Sequence, residues 1–217
     1  MPSSPSSPEP QPLAAMAGVR PGGITRGSFI LRGTLAAAAV YGAGAVGPFV
    51  QGALAQSDAS DAALLDFALR LEVLEATFYD EALKQVPGMS ADVRGVARTL
   101  RGHEREHRTT IAETIRQLGI KASAAPKTDF GDAFTSERRF LEVAQQLEDT
   151  GVAAYNGAAP MLFTSQLLEV AGEIVQIEAR HSAVIRELLG KPISDGAFDK
   201  PLDESQVQAR VKPFIKG

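Results

Sequence analysis

The sequence predicts an all-α fold: an antiparallel four-helix bundle with one long crossover between its second and third helices. Three observations predict it. Four stretches repeat apolar residues at helical spacing. The first and second are joined by a few residues, as are the third and fourth, whereas the segment 120–134 separates the two pairs. Finally, Glu-x-x-His occurs once in each pair, as Glu104 with His107 and as Glu178 with His181. Residues three apart on a helix share a face, so each motif aims a carboxylate and an imidazole the same way.

The first stretch runs from about Ser57 to Gln85. Asp58 or Ser60 is placed to cap it, and Pro87-Gly88 ends it. Its apolar face is Leu64, Ala68, Leu71, Leu74, Phe78 and Leu83. The second runs from Ser90, a good N-cap, to Leu118, with Gly119 as its stop. The third starts near Thr135 or Ser136 and is stopped or kinked between Gly157 and Pro160. The fourth runs from Thr164 to Leu189, where Gly190-Lys191-Pro192 ends it; Leu167, Leu168 and Ile174 are among its apolar positions.

Short links make antiparallel neighbours. A fifteen-residue link is unusual inside a compact domain, and it is long enough to run the length of a bundle. Residues 191–217 have no helical period. Phe198, Leu202, Val207, Val211, Phe214 and Ile215 are expected to pack on the bundle, as an extended wrap or a short extra helix.

Residues 1–55 read as an address. Residues 1–12 are rich in Pro and Ser, an expectation of disorder. Thr25-Arg26-Gly27-Ser28-Phe29-Ile30-Leu31-Arg32 follows, then an uncharged Ala/Gly-rich run from Gly33 to Ser57, with Ala53-Leu54-Ala55 as a cleavage site. The array resembles a bacterial twin-arginine export signal, with Gly27 standing where the second Arg belongs. General secretion and an uncleaved anchor are the alternatives. Cleavage after Ala55 would leave a bundle at 56–190 and a tail at 191–217, in the periplasm or outside the cell. The formal charge of −4 would become −6 on loss of Arg20, Arg26, Arg32 and Glu9. No basic block points to nucleic acid, and membrane contact would arise only through an uncleaved signal. Homo-oligomer formation is left open.

The two Glu-x-x-His motifs are half of a larger set. Glu72 and Glu148 each follow a Leu and precede a Tyr by seven residues, Tyr79 and Tyr155. Glu104 lies 32 residues after Glu72, and Glu178 lies 30 after Glu148. The chain thus reads as two diverged hairpins, each bringing a Glu and then a Glu-x-x-His. Four carboxylates crowded into a core need cations to neutralise them, and two divalent ions cancel the formal charge. With no Cys, the donors are oxygen and nitrogen, which suit Fe, Mn and Zn. Glu75, one turn from Glu72, is the rival on the first helix, but only Glu72 has the seven-residue spacing to Tyr.

These segments resemble the ferritin-like superfamily, and within it the bacterial ferritin-like proteins related to desiccation-related proteins. The resemblance rests on Glu72 to Tyr79, His103 to His107, Glu148 to Pro160 and Glu178 to His181. It implies a di-metal site with Glu104 and Glu178 bridging and Glu72 and Glu148 terminal. It implies two Fe ions, with Mn as the alternative, acting in Fe(II) oxidation or in reduction of oxygen or peroxide. A bundle that binds metal or protects against stress without turnover is the non-enzymatic reading, and a dimanganese catalase is a further one.

Several residues have plainer roles. Tyr79 and Tyr155 would either hydrogen-bond ligands or pack in the core. His103, one turn before His107, reads as a polar residue at the bundle rim, with a partner behind the ligands as the alternative. Arg101, Arg105, Glu106 and Arg108 read as a solvated face with ion pairs along their own helix. Asp149 reads as a surface pairing group. His103-Glu104-Arg105-Glu106-His107 also matches the zinc-protease pattern, in which both histidines bind zinc and Glu104 is the base. That reading leaves Glu72, Glu148 and the whole second hairpin as coincidence.

Overall fold

The computed structural model describes the backbone of residues 43–216 and the side chains of residues 60–216. The expected export segment lies outside the described residues as far as Gly42. Four long helices form the body: α1 (Ala43–Gln85), α2 (Ala91–Gln117), α3 (Glu137–Ala158) and α4 (Ser165–Leu188). A short α5 (Glu204–Val211) follows in the tail. Among the described residues there is no named strand.

Helix α1 starts upstream of the expected Ser57, and neither Asp58 nor Ser60 begins it. Ala53, Ala55, Ala59, Ala62 and Ala63 are strong helix formers on both sides of Asp58, so nothing there interrupts propagation. The other starts follow the local chemistry. Ser90 Oγ accepts from the Val93 amide, and Ser136 Oγ from the Arg139 amide. Gly88, Gly119 and Gly190, at the turns that end α1, α2 and α4, have positive φ (62°, 68° and 70°).

Helix α4 is the exception, because Thr164 makes no side-chain cap of its own. Asp61 of α1 supplies it. Its carboxylate accepts from the Phe163 amide (2.9 Å), the Thr164 amide (3.0 Å) and the Thr164 hydroxyl (2.6 Å). An acid from one hairpin thereby seals a helix start in the other.

Helix α1 packs along α2, and α3 along α4, with lighter contacts of α1 on α3 and α2 on α4. The tail locks the crossover. Thr128 bridges antiparallel to Ile215, the Asp129 amide donates to the Phe214 carbonyl, and the Lys216 amide donates to the Lys127 carbonyl (2.9 Å each). Helix α5 is held by a capping box between Asp203 and Gln206, and it buries Val207 and Val211.

Two expectations need correction. Phe198 does not pack; it is 92% exposed. Leu168 is also exposed, because the buried side of α4 turns through Leu167, Ala171 and Ile174 instead. Helix α3 ends at Ala158, inside the expected stop between Gly157 and Pro160. A Cβ at Gly157 would lie 1.8 Å from the Leu202 carbonyl oxygen, so glycine there lets the tail lie against the helix.

Two apolar clusters fill the bundle. One gathers Phe78, Tyr79, Phe130, Phe134, Phe140 and Phe214; the other gathers Leu65, Ile111, Ile115, Tyr155, Leu167 and Ile174. Along α1 they fall on opposite sides of Glu72, and the polar site occupies the layer between.

Candidate metal centre

Each long helix brings at least one of the six candidate donors to this layer. Glu72 comes from α1, Glu104 and His107 from α2, Glu148 from α3, and Glu178 and His181 from α4. All six are buried, and the four glutamates have no exposed surface.

The donors fall into two overlapping groups. Glu72, Glu104, His107 and Glu178 each offer one atom within 4.8 Å of the others. Glu104, Glu148, Glu178 and His181 form the second group within the same limit. Glu104 and Glu178 belong to both, while Glu72 and Glu148 belong to one each. Glu75 contributes to neither, although it is buried.

The polar atoms here are not satisfied by the protein. Glu72 Oε2, both oxygens of Glu104, Glu148 Oε2, both oxygens of Glu178, His107 Nδ1 and His181 Nδ1 are buried without a hydrogen-bond partner. His107 Nδ1 lies 3.1 Å from Glu178 and 3.4 Å from both Glu72 and Glu104. His181 Nδ1 lies 2.8 Å from Glu104 and 3.3 Å from Glu148. Buried polar groups are ordinarily paired. Unpaired oxygens and imidazole nitrogens converging from four helices are a donor set for cations, and the cluster can hold metal ions.

The electrostatics agree. Burial pushes the Glu72 carboxyl up to about 7 against the pull of His107. Burial, then the Glu104 charge, raises Glu178 well above the carboxylate range, and burial raises Glu148. Burial, followed by the Glu178 charge, does the same to Glu75. Burial would also raise Glu104, but His107 and His181 outweigh it and hold that carboxyl at about 2. For the histidines burial opposes charge, yet the carboxylates win. Glu104, Glu178 and Glu72 lift His107 to about 12, and Glu148 and Glu104 lift His181 to about 10. Without cations, protons carry the neutralising charge.

The remaining oxygens of Glu72 and Glu148 are tied by a crossed pair of tyrosines. The Tyr79 hydroxyl on α1 donates to Glu148 Oε1 on α3 at 2.5 Å. The Tyr155 hydroxyl on α3 donates to Glu72 Oε1 on α1. Burial, then the accepting carboxylate, pushes each phenol well above its usual range, so both stay protonated donors. The repeated seven-residue spacing is thus a two-way brace between α1 and α3.

His103 is half-buried and does more than line the rim. Its Nδ1 lies 2.9 Å from His181 Nε2, and the rings stack at 10° with centroids 5.1 Å apart. It backs His181 from the side away from the carboxylates and joins neither donor group. Sequence spacing aligned His103 with His107 on its own helix, and only the fold sets it against α4. This arrangement disfavours the zinc-protease pattern, since the site uses His107 with His181 rather than with His103.

The arginine-rich face also differs from expectation. Arg105 pairs with Asp80 of α1 at 2.6 and 2.8 Å, so the contact is between helices. Asp149, beside Glu148, is held by Arg186 Nη2 (2.8 Å) and by the Ser182 hydroxyl (2.5 Å), next to His181. Gly151 faces the site from α3: a Cβ there would lie 2.8 Å from Glu178 Oε2 and 3.2 Å from Glu75 Oε1.

A family model described as a ferritin-like domain matches residues 60–191, which hold all six donors. The fold is similar to the crystal structure of a conserved hypothetical protein, rv2844, from Mycobacterium tuberculosis, with a TM-score of 0.56. The two are 18% identical over 65% of this chain and 99% of that one. No curated protein matches the chain.

Proposed function

Because this chain belongs to the ferritin-like domain family, we propose that it holds two iron ions and uses them to oxidise Fe(II) or to reduce oxygen or peroxide. The observation that carries this reading is the pair of overlapping donor groups sharing Glu104 and Glu178. Glu72 and His107 would complete one ion's protein ligands, and Glu148 and His181 the other's. Manganese suits the same oxygen and nitrogen donors and is the alternative metal.

Two bound iron ions would supply the one-electron steps that oxygen and peroxide chemistry needs. The chain's own residues do the rest. Tyr79 and Tyr155 orient the Glu148 and Glu72 carboxylates by donating to the oxygens that face away from the histidines. His103 holds the His181 ring through Nε2 and leaves Nδ1 free toward Glu104 and Glu148. The apolar layers above and below exclude water and strengthen the electrostatic hold on cations. We include export in this reading, on the N-terminal signal pattern alone.

The test is anaerobic loading of the protein with ferrous iron, then addition of oxygen or peroxide, with absorbance of the oxidised centre followed in time. Oxidation faster than in a Glu104→Ala variant is expected. Equal rates in the two proteins would sink the redox reading, and two retained metal ions would then leave a metal-holding bundle.

A further inference from the structure

One turn away from the donors, the bundle holds an apolar cavity that is partly open to the outside. Its walls are set by the same helices at helical spacing from the ligands. Ala68 lies four residues before Glu72, Ile111 four after His107, and Ile174 four before Glu178. A helical turn rises about 5.4 Å, so these residues form the next layer along the bundle axis. Tyr155 joins the two layers: its ring lines the cavity and its hydroxyl donates to Glu72.

The cavity has little for a polar molecule to bind. Among the described residues its only polar side chains are Thr114 and Tyr155. The Thr114 hydroxyl already donates to the Thr110 carbonyl at 2.9 Å, and the Tyr155 hydroxyl is taken by Glu72. Among the described residues no charged group lines it. Water needs two to four polar partners to settle in a cavity, and apolar cavities stay dry and take up apolar guests. Hydrogen peroxide, with two donors and four lone pairs to satisfy, meets the same penalty. The space open to the centre of a water-sized sphere is about 50 Å³. One water needs about 10–15 Å³ on that measure, so the cavity has room for a small molecule.

We infer that this cavity is the binding and entry site for dioxygen, and that the oxidant used at the centre is therefore dioxygen rather than peroxide. The inference rests on the redox reading above for its chemistry, but the cavity's ligand class can be tested without it. The discrimination is one of solvation. A diatomic with no hydrogen-bonding demand loses nothing on entering, whereas peroxide must shed its water and finds no replacement.

The first measurement is diffraction from xenon-pressurised crystals of the full chain with metal bound. Xenon is expected among Ala68, Leu71, Ile111, Ala171 and Ile174, and it should be lost in an Ala171→Leu variant. Ordered water in place of xenon would overturn the inference. The second is oxidation of the iron-loaded protein by each oxidant. Ala171→Leu, and separately the half-buried Ala68→Leu in case the first misfolds, should lower kcat/KM for oxygen by about tenfold or more and leave the peroxide rate unchanged. An unchanged oxygen rate, or an equal fall for both oxidants, would refute it. If the parent protein oxidises iron with neither oxidant, the redox reading fails, and the xenon map still reports what the cavity binds.

Discussion

Replacing Gly151 by Ala should move fold stability and metal affinity in opposite directions. Gly151 sits inside α3, where Ala is favoured over Gly by about 1 kcal/mol. The added methyl would start 2.8 Å from Glu178 Oε2, whereas ordinary contact begins at 3.4 Å. The carboxylate must then retreat by about 0.6 Å, or the helix must shift by as much. Glu178 ends a flexible side chain, so the metal-free protein can absorb this cheaply. A ligand shared by two ions, the role proposed for Glu178, could not, since productive metal geometry is held within about 0.5 Å. The expected result is a metal-free melting temperature unchanged or raised by about 2–4 °C, with metal affinity lowered by about 10–100-fold. Thermal unfolding in chelator gives the first quantity, and calorimetric titration with Fe(II) or Mn(II) gives the second. Unaltered affinity at two ions per chain would refute the assignment of Glu178 to both ions.

The other predictions follow from the same geometry. Tyr155→Phe and Tyr79→Phe each strip one carboxylate of its donor, at Glu72 and Glu148 respectively. Each should weaken metal binding by about tenfold or more in equilibrium titration; no change in either would reduce the tyrosines to core packing. Asp61→Ala removes three hydrogen bonds at the start of α4. It should cost about 1–2 kcal/mol of stability, read as a lower denaturant midpoint at constant slope. The pH dependence has a definite sign. The Glu72 carboxyl, lifted to about 7 from 4.5, favours the fold below its unfolded value, and that benefit is lost as pH rises through 7. His107 and His181 contribute fully below 6.5 and lose their contribution as pH climbs towards about 12 and about 10 respectively. The metal-free protein should therefore melt at lower temperature as pH goes from about 5 to about 9, while metal affinity rises because ions displace those protons. A metal-free melting temperature that climbs over that range would contradict the electrostatics.

The sequence was most informative where the physics is local. Helical periodicity, the Ser90 and Ser136 caps and the glycines after α1, α2 and α4 are written within a few residues. So is the sharing of a face by Glu104 with His107 and by Glu178 with His181. The doubled order of Glu and Glu-x-x-His carried the bundle and its topology, because short links force antiparallel neighbours. Local signals also misled. The Ala-rich run before Ser57 propagates α1 past the expected caps. Gly157 stands where α3 ends, as its composition suggests, but its second use, to admit the Leu202 carbonyl, has no local signal. Phe198 has the hydrophobicity of a core residue, and the tail passes without burying it.

By itself, then, the sequence determined the helices, their pairing and an inward-facing set of six donors, since each depends on spacing along one chain segment. Only the tertiary structure decided what those donors meet. Glu72 and Glu75 are one turn apart and both buried, and the packing of α1 against α2 and α3 brings only Glu72 to the donor group. The same packing crosses Tyr79 to Glu148 and Tyr155 to Glu72, sets His103 behind His181 and sends Asp61 to cap α4. Each of these contacts joins helices far apart in sequence. Helical spacing says which way a side chain points around its own axis, but the identity of its partner waits on how four axes are rotated and set in register.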